Sequence, residues 1–206
     1  MGRPREHDES TAAKLLVAAE RIVEEQGVGA LSVRAVAGAA GTTTRAVYSS
    51  FGSKDGMIGA LGAHAFDLLR DGLKALPASD DARVDLVSAG LMFRTFATEH
   101  PSLFRIGVQR VHPPSASPRV FAAANTALIE LKGIVGRLAG EQLLGPRTID
   151  DATWQFHALC EGLAAIELRG LLPMPEAEAA WRQALQALVS GFGVPEPAPR
   201  EETASG

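Results

Sequence analysis

LSVRAVAGAAGTTTRAVYSSFGSK, residues 31–54, reads as two short helices joined at a glycine, the form of a helix-turn-helix. Ser32 is an N-cap residue type standing before Val36, Ala37 and Ala40, apolar positions spaced to face one side of a helix. Gly41 stops that helix, because glycine takes the left-handed conformation of a helix stop without steric penalty. Thr42 or Thr43 restarts a helix as its N-cap. On this second helix Thr44, Arg45 and Tyr48 share an outer face, while Val47 and Phe51 turn toward the first. That outer face suits a DNA major groove: short donors reach base edges, Arg pairs with guanine or phosphate, and Tyr reaches the backbone. The alternative is an ordinary helical hairpin whose polar face is simply solvated.

Composition supports the helical reading. The 206 residues allow one or two domains with ample core, and 35 Ala and 23 Leu against 21 Val and Ile favour helices over sheets. An all-α protein is expected. The longest stretch free of charge is the thirteen residues 183–195, too short to span a bilayer, and the charged N-terminus has no apolar signal region. No membrane partner and no cofactor are expected. The single cysteine, Cys160, fits a reducing cytoplasm, where the protein is expected to reside. The net charge of −4 argues against non-specific coating of nucleic acid. Its distribution is informative, because residues 1–60 carry seven basic and seven acidic groups and segregate them. Glu20, Glu24 and Glu25 fall on the first helix, whereas Arg34, Arg45 and Lys54 fall in the motif, giving a local basic strip.

Around the motif the pattern predicts about nine helices. A polar arm, residues 1–8, is expected to be disordered, followed by a helix over 10–26 with Leu15, Leu16, Ala19, Ile22 and Val23 as its apolar stripe. After Lys54 a long helix runs to about residue 76, another spans 82–99, and a short one reaches about 110. Residues 112–118, HPPSASP, form the longest loop. Helices over about 119–142, 149–171 and 176–192 follow, and the Pro- and Glu-rich tail 195–206 is expected to be disordered. The expected division is therefore arm 1–8, helix-turn-helix domain 9–54, effector-binding and dimerisation domain 55–194, and tail.

The first sixty residues resemble the TetR family of one-component transcriptional regulators. The family pattern, "S/T-x-R-x-hydrophobic-A-x-x-A-G", a variable trio, "x-x-hydrophobic-Y-x-x-F" and a nearby Lys, falls on Ser32, Arg34, Val36, Ala37, Ala40, Gly41, Val47, Tyr48, Phe51 and Lys54. The resemblance implies that Arg34, Thr44, Arg45 and Tyr48 meet bases or the adjacent backbone, and that Thr43, Ser49, Ser50 and Lys54 hold phosphates. Ala46 stands where many members carry a hydroxyl, which removes one phosphate contact. It further implies a homodimer on a palindromic double-stranded DNA operator, held by the last two helices as a four-helix bundle. Leu159, Leu163 and Ile166 with Leu185, Leu188 and Val189 recur at helical spacing on those helices. Residues 93–110, FRTFATEHPSLFRIGVQR, resemble a subgroup with a Trp-His-Gly signature, although Glu161-Gly162 stands at the His-Gly position.

The C-terminal half concentrates candidates for a small apolar or amphipathic effector: Phe93, Phe96, Phe104, Met92, Trp154 and Phe156, with His100, His157 and Glu161 as polar groups. The aromatic residues are either pocket lining or plain core. His157, Cys160 and Glu161 share a helix face, but a metal needs further ligands and Cys-His catalysis needs an orienting acid and an oxyanion site. No enzyme is expected, and His157 or Glu161 is read as a polar contact to the effector. Two further alternatives stay open. Arg3 and Arg5 are either a minor-groove arm or a solvated tail; Gly56, Gly59 and Gly62 either permit a tight helix crossing or loosen a lever that an effector shifts.

Overall fold

Leu15, Ala19, Ile22 and Val23 line the buried side of α1 (Pro4–Gln26) and meet Leu31, Val36 and Val47 in one apolar core. The computed structural model describes residues 4–109, 113–172 and 176–193. Among these, a 3-10 turn (Val28–Ala30) leads to α2 (Val33–Ala39), α3 (Thr44–Phe51) and the long α4 (Lys54–Ala75). Then come α5 (Ala82–Glu99), α6 (Pro101–Gly107), a second 3-10 turn (Pro114–Ala116), α7 (Ser117–Gly140), α8 (Ile149–Glu167) and α9 (Ala177–Gly191). The described residues contain nine α-helices and no strand. None of these helices is long and apolar enough to cross a membrane.

Helix α4 joins the two halves. It packs on α1 and α3 at one end and on α5, α6 and α7 along its length, with Met57, Ile58, Leu61, Ala65 and Leu69 buried. Two polar clusters fix the C-terminal helices. Glu167 of α8 accepts from Nε and Nη2 of Arg94 on α5, at 3.1 and 2.7 Å, and from Nε1 of Trp181 on α9 at 2.7 Å. These partners satisfy a carboxylate that burial alone would strand. Asp85 of α5 accepts from the Ser79 N–H and hydroxyl and from Arg137 of α7, pinning the α4–α5 loop. Burial opposes ionisation of Asp85, but the Ser79 and Arg137 bonds outweigh it and hold the carboxyl below its usual range.

Several boundaries differ from the sequence reading. Helix α1 starts at Pro4, not residue 10, because proline fits a first helical turn and no helix breaker follows it. The expected arm is thus helical from residue 4, while Met1 to Arg3 lie outside the described residues. The loop at 112–118 is shortened by the 3-10 turn and by α7 starting at Ser117, with His112 outside the described residues. Helix α8 stops at Glu167 rather than 171. Gly170, at φ 70°, takes the left-handed stop conformation, with Leu171 N–H donating to Ile166 and Gly170 N–H to Glu167. Leu185 and Val189, expected on an outer face, point into the protomer's core; a Cβ on Gly90 of α5 would sit 2.5 Å from Leu185 Cδ2. The tail 195–206 lies outside the described residues.

Candidate functional site

Three short hydroxyls set the geometry of the helix-turn-helix. Ser32 Oγ accepts from Ala35 N–H at 3.1 Å, Thr43 Oγ1 from Ala46 N–H at 3.2 Å, and Ser53 Oγ from Gly56 N–H at 3.0 Å, capping α2, α3 and α4. Gly41 has φ 63°, and Thr42 N–H donates to Ala37 while Gly41 N–H donates to Gly38, closing α2 with a Schellman turn. The next helix therefore starts from Thr43 rather than Thr42. Gly56 sits where a Cβ would lie 1.8 Å from the Phe51 carbonyl oxygen, so α4 leaves α3 through a join too tight for a side chain.

Val47 is buried against α1 and α2, and the opposite side of α3 is open. Thr44, Arg45 and Ser49 are exposed, Tyr48 is 55% exposed, and Ser50 and Phe51 are half-buried. Arg34 on α2 and Lys54 at the start of α4 are exposed too. Arg34, Arg45 and Lys54 have no ion-pair partner among the described residues, so their charge is not neutralised within the protomer. The Thr43 hydroxyl spends its lone pair on the cap and keeps its O–H to donate.

The acids of α1, read from sequence only as segregated charge, tie this unit to the C-terminal helices. Glu24 accepts from the Ser102 and Leu103 N–H groups at 3.0–3.1 Å, capping α6, which has no side-chain cap of its own. Ser102 Oγ returns a bond to the Val23 carbonyl at 2.9 Å. Glu20 lies between His64 Nε2 of α4, at 3.4 Å, and His100 Nδ1, at 3.0 Å. The His64 bond, with attraction to both imidazoles, holds the Glu20 carboxyl below its usual range despite partial burial. Helices α4 and α6 meet closely beneath this cluster: a Cβ on Gly107 would lie 3.1 Å from Gly62 O, and one on Gly62 would lie 2.8 Å from Val120 Cγ2. Gly56 and Gly62 thus sit at tight crossings.

Between α4, α5, α7 and α8 lies an apolar cavity of about 60 Å³. Phe66, Leu69, Met92, Phe93, Leu128 and Phe156 are among its walls, with His157 beside them. A groove of about 590 Å³ that shares His157 with it runs between α7 and α8, bordered by Phe121, Asn125, Trp154 and Glu161 and by Gln109 after α6. His157 packs edge-on to Phe93 and to Trp154, with ring centroids 6.1 and 5.9 Å away, and its Nε2 is 3.6 Å from Glu161 Oε2.

Phe93, Trp154, His157 and Glu161 of the sequence candidates are therefore brought together. Phe96, His100 and Phe104 do not line either space: the two phenylalanines are buried in the core, and His100 bonds to Glu20. Met92 and Phe156, of the same aromatic and apolar set, line the cavity as well, whereas Phe66 and Phe121 were missed, because which side of separate helices faces a common space is a tertiary fact. Cys160 also lines the cavity; burial pushes its thiol up, so it is no nucleophile. Among the described residues no cluster of His, Cys, Asp or Glu has the arrangement of a metal site.

Residues 15–61 match the family model described as bacterial regulatory proteins, tetR family, and residues 86–188, half the chain, match that of the tetracyclin repressor-like C-terminal domain. The chain belongs to the TetR family. Members of this family are DNA-binding regulators and not enzymes, which removes the alternative of an ordinary helical hairpin with a merely solvated polar face.

Solved structures agree on the TetR-like fold. A protein of unknown function from Rhodococcus sp. RHA1 is similar with a TM-score of 0.77 and 22% identity, covering 89% of this chain and 96% of that one. A tetR-family regulatory protein from Rhodococcus RHA1 gives 0.65 and 16%, covering 90% and 98%. The fatty acid degradation regulator FadR from Bacillus halodurans gives 0.71 and 14%, covering 86% and 94%. At these identities the likeness speaks for the fold alone. No curated protein matches the sequence.

Proposed function

We propose that this TetR-family regulator is a repressor that binds a palindromic operator as a homodimer and is released by a small apolar or amphipathic effector. The observation that carries the reading is the exposed, internally unpaired set Arg34, Arg45 and Lys54, grouped with Thr44 and Tyr48 around a capped recognition helix. Arg34, Thr44, Arg45 and Tyr48 meet bases or the adjacent backbone; Thr43, Ser49, Ser50 and Lys54 hold phosphates, Lys54 at a helix N-terminus where an anion is favoured. Residues 9–54 form the DNA-binding unit, and 55–194 sense the effector and dimerise.

Dimerisation is supported by the outer faces of α8 and α9. Leu159, Leu163, Ile166 and Leu188 remain half-buried in the protomer, beside exposed Ala158, Gly162 and Ala187, and a Cβ on Gly162 would meet nothing within 4 Å. An uncharged face of this kind lets a second helix pair approach closely. Release follows if the effector, seated beneath α4, favours the conformation whose recognition helices are wrongly spaced.

The test is paired. Arg45→Ala and Tyr48→Phe weaken specific DNA binding in an anisotropy titration while leaving the helical circular dichroism and melting curve unchanged. Operator binding that is indifferent to both would overturn the reading.

A further inference from the structure

The inner cavity and the outer groove share His157 but differ in chemistry. The inner walls are hydrocarbon and aromatic, whereas the groove presents one carboxylate, Glu161, with its side chain 37% exposed. Two aromatic rings border the groove from facing helices, Trp154 of α8 at 52% exposure and Phe121 of α7 at 48%. Among the described residues, the lining of both spaces contains no Lys and no Arg. Among the described lining residues the fixed charge is therefore the Glu161 carboxylate, with His157 Nε2 3.6 Å from its Oε2.

That arrangement selects by sign. A cation entering the groove meets the Glu161 carboxylate and the exposed ring of Trp154, and a weakly hydrated cation gives up little water to do so. An acidic headgroup on the same hydrocarbon meets a like charge. Building on the proposed effector site, we infer that its ligand is an amphipathic cation, an amine or quaternary ammonium group held at Glu161 and Trp154 with its hydrocarbon chain along the groove walls at Phe66, Val108 and Leu128. His157 stands beside the charged end, its ring against Trp154 and its Nε2 3.6 Å from Glu161 Oε2.

The test uses three ligands of one chain length, decyltrimethylammonium, decanol and decanoate, each below its micelle-forming concentration. They are titrated calorimetrically into the full-length dimer and into its operator complex. The ammonium ligand binds roughly tenfold tighter than decanol, and decanoate binds weaker than decanol. Glu161→Gln, on a partly exposed position, brings the ammonium ligand to within about twofold of decanol and leaves decanol unchanged. Trp154→Leu weakens the ammonium ligand selectively. Decanoate binding as tightly as the ammonium ligand, or a preference untouched by Glu161→Gln, overturns the inference while leaving an effector site in place. If none of the three binds or releases the operator, the effector-site reading and the inference both fall.

Discussion

Arg45 and Lys54 are cations on the same surface, yet their loss should read out differently. Arg45 lies on the outer face of α3, and if, as proposed, its guanidinium reads a base edge, Arg45→Ala loses roughly 1–3 kcal/mol of discrimination at that pair. Lys54 opens α4, and its proposed phosphate contact predicts that Lys54→Ala weakens binding to all sequences alike. It also lowers the salt slope by about two for a dimer that loses one contact per protomer. Anisotropy titrations on operator and scrambled DNA across a salt series separate the two. The geometry of the motif could be read from sequence because it is local: each cap bonds three residues ahead, and Gly41 turns the chain within its own neighbourhood. Ser53 carries the same signal and was overlooked, although a Ser standing before a helix is an ordinary cap. Glu20 and Glu24 could not be read this way, since the partners of Glu24 lie 78 and 79 residues on.

Between elements, the joins of α4 carry the account. Gly56→Ala places a Cβ against the Phe51 carbonyl, whereas at Gly41 the space is open and only the backbone angle resists. Gly41→Ala is thus expected to cost about 1 kcal/mol, and Gly56→Ala more, with a further loss of operator affinity as α3 is displaced. Urea unfolding alongside DNA titration distinguishes a stability loss from a positional one. One acid of α1 and one of α5 bear on pH. Glu20 and Asp85 have carboxyls held below their usual range, so the folded protein binds fewer protons there than the unfolded chain. Their stabilisation is complete above the ordinary carboxylate range and is lost as pH falls through the lowered folded-state values. Unfolding free energy measured from about pH 7 down to about pH 4 therefore declines, and Glu20→Gln makes the decline shallower. Helix ends were legible where a breaker closed them and misjudged where two signals competed. At the end of α8 the glycine at 170 won over the prolines that follow.

For the whole molecule, sequence pattern was enough to give an all-helical chain with its recognition unit at the front, because apolar periodicity reports which helices exist. It could not say which apolar faces stay open. Leu185 and Val189 carry the same pattern as Leu159 and Leu163, yet they fill the protomer core, and Phe96 and Phe104 share the composition of Phe93 without reaching the cavity. The open face of α8 makes a direct prediction about assembly. Gly162→Arg points into free space in the protomer, so the variant folds, sediments as a monomer and loses most of its operator affinity because two half-sites can no longer be held together. The account as a whole rests on the helix-turn-helix reading DNA as a symmetric pair. Selection of bound sequences from a random DNA pool tests this most directly. The prediction is an enriched inverted repeat with a fixed half-site spacing, lost when Arg45→Ala is used as bait; a pool that enriches nothing, or a single unrepeated site, would contradict it.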